Sequence, residues 1–178
     1  MPTAAWNNLA SGNGEPDWKS LARDFSDCKI TFIPHVGSWQ SYKPKTALNW
    51  KRVKYDSSSN PSDSRGVYAF VLCPEIILSS SVPPFGYILY VGETGNTVKA
   101  TLKSRLLSYR NKRSQKSRAR VYSMIDVWND HLYFYYAEVR AGVSTKHCET
   151  TLLDTLLPPC NEKDFSAKVS NARKSVLN

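Results

Sequence analysis

No stretch of this chain is long and apolar enough to cross a bilayer. Its first residues, Met1 to Pro16, lack the charged-then-apolar order of a signal peptide. The expectation is an intracellular protein, cytoplasmic or nucleoid-associated, with no membrane partner. Cysteine is scarce and scattered: Cys28, Cys73, Cys148 and Cys160 never form a C-x-x-C pair, and His35, His131 and His147 show no zinc-finger spacing. A structural zinc site needs four soft ligands, usually as two close pairs, so free thiols in a reducing compartment are expected instead. Acidic residues are also few, with 15 Asp+Glu against 24 Lys+Arg and a net charge of +9. That balance favours a polyanionic partner, nucleic acid before an acidic membrane surface.

What is present is a globular composition. With 41% hydrophobic and 12% aromatic residues over 178 positions, the chain can build one domain with a real core, or a smaller catalytic module with an extension. Residues 1–64 differ from the rest. They offer a short amphipathic helix over Asp17–Phe25, a strand over Lys29–Pro34, scattered aromatics (Trp39, Tyr42, Trp50, Tyr55) and a linker-like run from Asp56 to Ser64. From Arg65 the pattern sharpens: strands over Gly66–Leu72 and Tyr87–Gly92, a helix over Thr97–Arg110, and a strand over Leu132–Val139. The last helix starts at Ser144 or Thr145 and is stopped by Pro158-Pro159. Val121–Trp128 suits a helix or a strand equally. Leu132–Val139 is aromatic on both faces and is expected inside a sheet. The order strand, strand, helix, strand, helix gives a mixed α/β (α+β) layer, with 65–178 as the catalytic domain and 1–64 packing on it or contacting nucleic acid.

Two helical charges stand out. Arg105 borders the stripe of Leu102, Leu106 and Tyr109, and Glu149 shares a face with Leu152, Leu153 and Leu156. A charge so placed needs a partner, a metal or a water-filled cleft, because uncompensated burial costs several kcal/mol. A salt bridge between these two residues satisfies the same need. The basic run Lys99, Lys103, Arg105, Arg110, Lys112, Arg113, Lys116, Arg118 and Arg120 contains no acidic residue. Lys99, Lys103 and Arg110 are expected to point outward, and this run is read as contacting phosphates, although a solvated face would look alike.

Gly66-Val67-Tyr68 opens the first strand and Tyr90-Val91-Gly92 ends the second. The helix around Leu102-Lys-Ser-Arg105 and the segment from Cys148-Glu149 through Pro158-Pro159 to Asn161 follow. In these pieces and their order, residues 65 to 165 resemble the GIY-YIG nuclease family. The resemblance implies a small central three-stranded sheet flanked by helices, and phosphodiester hydrolysis with one Mg²⁺ or Mn²⁺ held by Glu149. It implies that Arg105 offsets phosphate charge, that Tyr68 or Tyr90 activates or orients water, that Tyr109 stands beside them, and that Asn161 positions active-site backbone or Glu149. One carboxylate is enough for a hard cation that keeps its waters. A free tyrosine, with a pKa of about 10, needs nearby cations before it serves as a base.

The chain departs from the family pattern in three ways. The gap between Tyr68 and Tyr90 is long and implies an insertion around Pro74–Phe85. Glu93 stands where several members carry a basic residue. Residues 1–64 match no motif of the family. The expected partner is DNA, with RNA not excluded. A restriction-type enzyme that cuts both strands needs two sites and hence a homodimer or larger assembly. The rival reading is a non-catalytic nucleic-acid-binding module of the same fold.

Overall fold

Aromatic and β-branched residues favour pleated, buried surfaces, and the two segments richest in them are the inner strands of one sheet. The computed structural model describes residues 47–73, 86–96, 99–111 and 118–171, all within residues 32–178, the second of two units into which the chain divides. Strands β1 (Trp50–Lys54), β2 (Gly66–Leu72), β3 (Tyr87–Thr94) and β4 (Leu132–Glu138) lie in the order β1-β4-β2-β3, every neighbouring pair antiparallel. Helices α1 (Leu102–Arg110), α2 (Ala119–Trp128) and α3 (Thr145–Leu156) complete the mixed α+β layer. The expected helix over Asp17–Phe25, the strand over Lys29–Pro34, the aromatics Trp39 and Tyr42 and the insertion around Pro74–Phe85 fall outside the described residues.

The sheet separates two cores by parity. On one face Tyr68, Phe70, Phe134 and Tyr136 pack with Leu102, Leu106 and Tyr109 of α1 and with Val121, Tyr122, Met124 and Ile125 of α2. On the other, Val67, Ala69, Val71, Val91 and Ala137 pack with Cys148, Leu152 and Leu153 of α3. The apolar spacing 121, 124, 125 is that of a helix, and this decides the ambiguous segment. A bulge lies where Phe70 pairs with Tyr90 but Val71 pairs with Ile88, leaving Leu89 as the extra residue. Such a bulge turns two successive side chains to one side. Leu89 and Tyr90 accordingly both join the first core.

Two expectations need correcting. The sheet has four strands rather than three, because Trp50–Lys54, assigned to the extension, pairs with β4. Its sequence, Trp-Lys-Arg-Val-Lys, carries no apolar alternation, since an edge strand is half-solvated and charge there guards against pairing with other chains. Helix α1 begins at Leu102, not Thr97. Thr101 accepts the Ser104 N–H and Ser104 Oγ accepts the Thr101 N–H, a reciprocal cap that fixes the start. Helix α3 starts as expected, with Ser144 accepting the His147 N–H, and ends on Leu157 in a left-handed conformation before the prolines.

Two glycines are required by close approach. Tyr68 lies directly across from Gly92, and a Cβ there would stand 2.5 Å from the Tyr68 ring carbon Cζ and hydroxyl. At Gly66 a Cβ would overlap the Ala137 carbonyl oxygen of β4, which is backbone and cannot swing away. Overpacking of this kind costs about 1–3 kcal/mol. Gly66→Ala is expected near the upper end, about 3 kcal/mol, and Gly92→Ala nearer the middle. Urea titration checks this; a wild-type midpoint for either variant would contradict the packing described.

Candidate active site

The strand pairing carries Tyr68 of β2 and Tyr90 of β3 to the same face, where α1 brings Tyr109. The Tyr68 and Tyr109 hydroxyls are 3.0 Å apart and share a hydrogen bond. The Tyr90 ring centroid lies 6.2 Å from that of Tyr68 and 6.5 Å from that of Tyr109. Tyr68 and Tyr109 are each only 1% exposed, whereas Tyr90 is partly open. Burial, followed by the neighbouring phenols, pushes all three hydroxyls well above the ordinary tyrosine range. Arg105 and Arg118 pull Tyr68 the other way, but burial outweighs them. All three side chains are therefore phenols at neutral pH, able to donate as well as accept.

Arg105 is half-buried, and its Nε is sealed from solvent without an acceptor. Arg118, the N-cap residue of α2, donates from Nη1 to the Tyr109 hydroxyl at 2.5 Å, with its guanidinium carbon 5.7 Å from the centre of that ring. Arg118 thus bonds the cluster directly, while Arg105 acts on Tyr68 through its charge.

Glu149 lies on α3, which packs against the edge strand β3 on the opposite face of the sheet. It is 6% exposed, and its charge contributes to the upward shift of Tyr90 after burial and Tyr109. The salt bridge with Arg105 considered from sequence does not form. Glu149 Oε2 instead accepts from Lys146 Nζ at 2.8 Å, and the same ammonium donates to Asp164 at 2.7 Å. Burial raises the Glu149 carboxyl above its usual range, and Lys146 offsets part of that rise. Beside them the Thr145 hydroxyl donates to Glu93 at 2.6 Å. Asn161 is tied to backbone: it accepts the Val91 N–H and donates to the Val91 carbonyl, both at 2.8 Å, one residue from Tyr90.

Family models, curated proteins and solved structures were compared with this chain, and none matches. The site rests on its own geometry.

Among the described residues no group of three or more His, Cys, Asp or Glu side chains is gathered as a metal site. The single-carboxylate arrangement expected for Mg²⁺ or Mn²⁺ does not need one. Glu149 Oε1 carries no hydrogen bond among the described residues, and a hard oxygen donor suits such an ion.

The basic run divides. Lys99 and Lys103 are exposed, and Arg120 is exposed and pairs with Glu162 at 3.5 Å. Lys112, Arg113 and Lys116 lie outside the described residues. Arg110, expected to point outward to phosphate, is turned to structure: it donates to the carbonyls of Lys54, Tyr55 and Ser59 and to Asn60 Oδ1. The loop after β1 turns its carbonyls toward the end of α1, and Arg110 is the donor that meets them. Glu138 pairs across the strand with Lys51 at 3.3 Å, and Asp154 accepts the Ser166 N–H.

Sequence reasoning passed over Lys146 and did not separate Arg118 from its basic neighbours. The three-residue step from Lys146 to Glu149 on one helix was a legible signal. Nothing local marks Arg118, whose place depends on how α2 meets the sheet.

Because folding raises the Glu149 pKa, its favourable contribution is complete below the ordinary carboxyl value of 4.5 and is lost as the pH rises through the folded value. Glu149→Gln removes that loss. Relative to wild type, the variant is expected to gain stability in urea unfolding as the pH rises above 4.5. An unchanged or opposite difference would contradict the desolvated carboxylate.

Proposed function

We propose that this chain is a metal-dependent endonuclease that hydrolyses phosphodiester bonds in DNA. The observation that carries the reading is the gathering of the Tyr68, Tyr90 and Tyr109 side chains with Arg105, within electrostatic reach of the buried Glu149. The motif order and the charge of +9 support a polyanionic substrate.

Glu149 is the residue that would hold Mg²⁺ or Mn²⁺, and the bound ion would polarise the phosphate and neutralise the leaving oxygen. Arg105 holds a non-bridging phosphate oxygen and offsets the charge that develops there. Tyr90, the least buried of the phenols, orients the attacking water through its hydroxyl. Tyr68 and Tyr109, hydrogen-bonded to each other behind it, hold the cluster in place, and the proton that the attacking water gives up leaves to solvent. Asn161 fixes the backbone next to Tyr90. Exposed Lys99, Lys103 and Arg120 add affinity along the substrate with little base selectivity. A restriction-type enzyme acting on both strands brings two such sites together in a homodimer.

One observation favours the rival, a non-catalytic nucleic-acid-binding module: Lys146 already supplies a cation to Glu149. Incubating supercoiled plasmid with Mg²⁺, Mn²⁺ or EDTA separates the two. The nuclease cuts only with metal, and Glu149→Ala and Arg105→Ala each lose about 100-fold or more. Cleavage that survives EDTA and both substitutions sinks the mechanism, and binding without cleavage under either metal supports the module. Discrete bands in place of a smear mark sequence selectivity.

A further inference from the structure

The arginines after residue 104 differ in what satisfies them. Arg110 is saturated by three carbonyls and an amide oxygen, and Arg120 has Glu162. Arg105 and Arg118 have no carboxylate partner among the described residues. Arg118 makes its hydrogen bond to the neutral phenol of Tyr109, which in turn bonds Tyr68, and the buried Arg105 Nε has no acceptor. Arg118 thus bonds this set of uncharged hydroxyls directly, and the charge of Arg105 acts on its Tyr68 member. Like charges in a partly desolvated place repel, and an anion between them relieves the repulsion.

The chemistry of that anion follows from the donors. A guanidinium is a planar fork that matches two oxygens of a phosphate, and it stays charged whatever surrounds it. In phosphodiester hydrolysis the two non-bridging oxygens carry more negative charge in the transition state than in the substrate. A second fork therefore acts mainly on the barrier rather than on binding.

We propose that Arg118 is a second catalytic arginine, which leaves the Tyr109 hydroxyl to hold a non-bridging oxygen of the scissile phosphodiester together with Arg105. This rests on the nuclease reading. It separates Arg118 from a residue that merely touches phosphates along the duplex, where its loss would weaken binding and lower the salt slope by about 0.9 while leaving turnover intact.

The test uses the full chain with Mg²⁺ and a plasmid substrate, comparing wild type, Glu149→Ala, Arg118→Met, Arg118→Lys and Arg118→Ala. Arg118→Met is expected to lower kcat about 100-fold or more, with KM within about threefold. Arg118→Lys, which keeps the charge and loses the fork, should recover only a small part. Millimolar guanidinium ion should restore turnover to Arg118→Ala, which a purely structural role would not allow. Where Arg118→Met fails to fold, the lysine variant and the rescue carry the test. If wild type cuts, Glu149→Ala does not, and Arg118→Met turns over within about threefold of wild type, the arginine is wrongly assigned while the nuclease reading stands. A folded Arg118→Ala that guanidinium fails to rescue likewise makes Arg118 a structural anchor only. If wild type never cuts, or Glu149→Ala cuts equally well, the nuclease reading fails and this assignment falls with it.

Discussion

Tyr68 stands across the β2–β3 ladder from a residue without a side chain, and the rest of the site follows from that pairing. The space at Gly92 lets the ring lie flat enough to stack on Phe134, with centroids 5.0 Å apart, while its hydroxyl reaches Tyr109. Gly66 does the same for the other neighbour by letting β4 come close. Both glycines of the two short motifs thus have a packing reason independent of chemistry. A large polar side chain is held at the centre of a sheet because its neighbours leave it room.

That arrangement sets the electrostatics. Phenols surrounded by Phe70, Phe134 and Leu89 lose the solvation that would stabilise phenolate, so the cluster is neutral while the charge around it is not. On the far side of β3 the balance reverses, with one ammonium between two carboxylates. The edge strand therefore separates a cationic aromatic face from an anionic helical one. The nuclease proposed above would use this division to hold a phosphate on one side and a metal ion on the other.

Much of this was legible in the sequence where local chemistry decides structure. The aromatic run of β4, the serine that opens α3 and the proline pair that closes it each act over a few residues. The pattern failed where tertiary contacts decide. Trp50–Lys54 has the composition of a loop and becomes a strand because β4 offers it an edge. Arg110 looked like its basic neighbours, and only the carbonyls of a loop some fifty residues earlier in the chain account for its direction. The sequence pattern placed the start of α1 at Thr97, and the reciprocal bonds between Thr101 and Ser104 set it at Leu102 instead. The candidate site was readable as a list of residues. Of its pairings, the i to i+3 step from Lys146 to Glu149 was there to be read, whereas that of Arg118 with Tyr109 was not.

The Asn161 amide offers β3 the donor and acceptor that a neighbouring strand would offer, and the Cys160 N–H adds a bond to the Leu89 carbonyl. One side chain and one turn thus occupy the hydrogen-bonding groups that β3 would present to a foreign strand. Two copies of this protein therefore cannot assemble by zipping a continuous sheet through Leu89 and Val91.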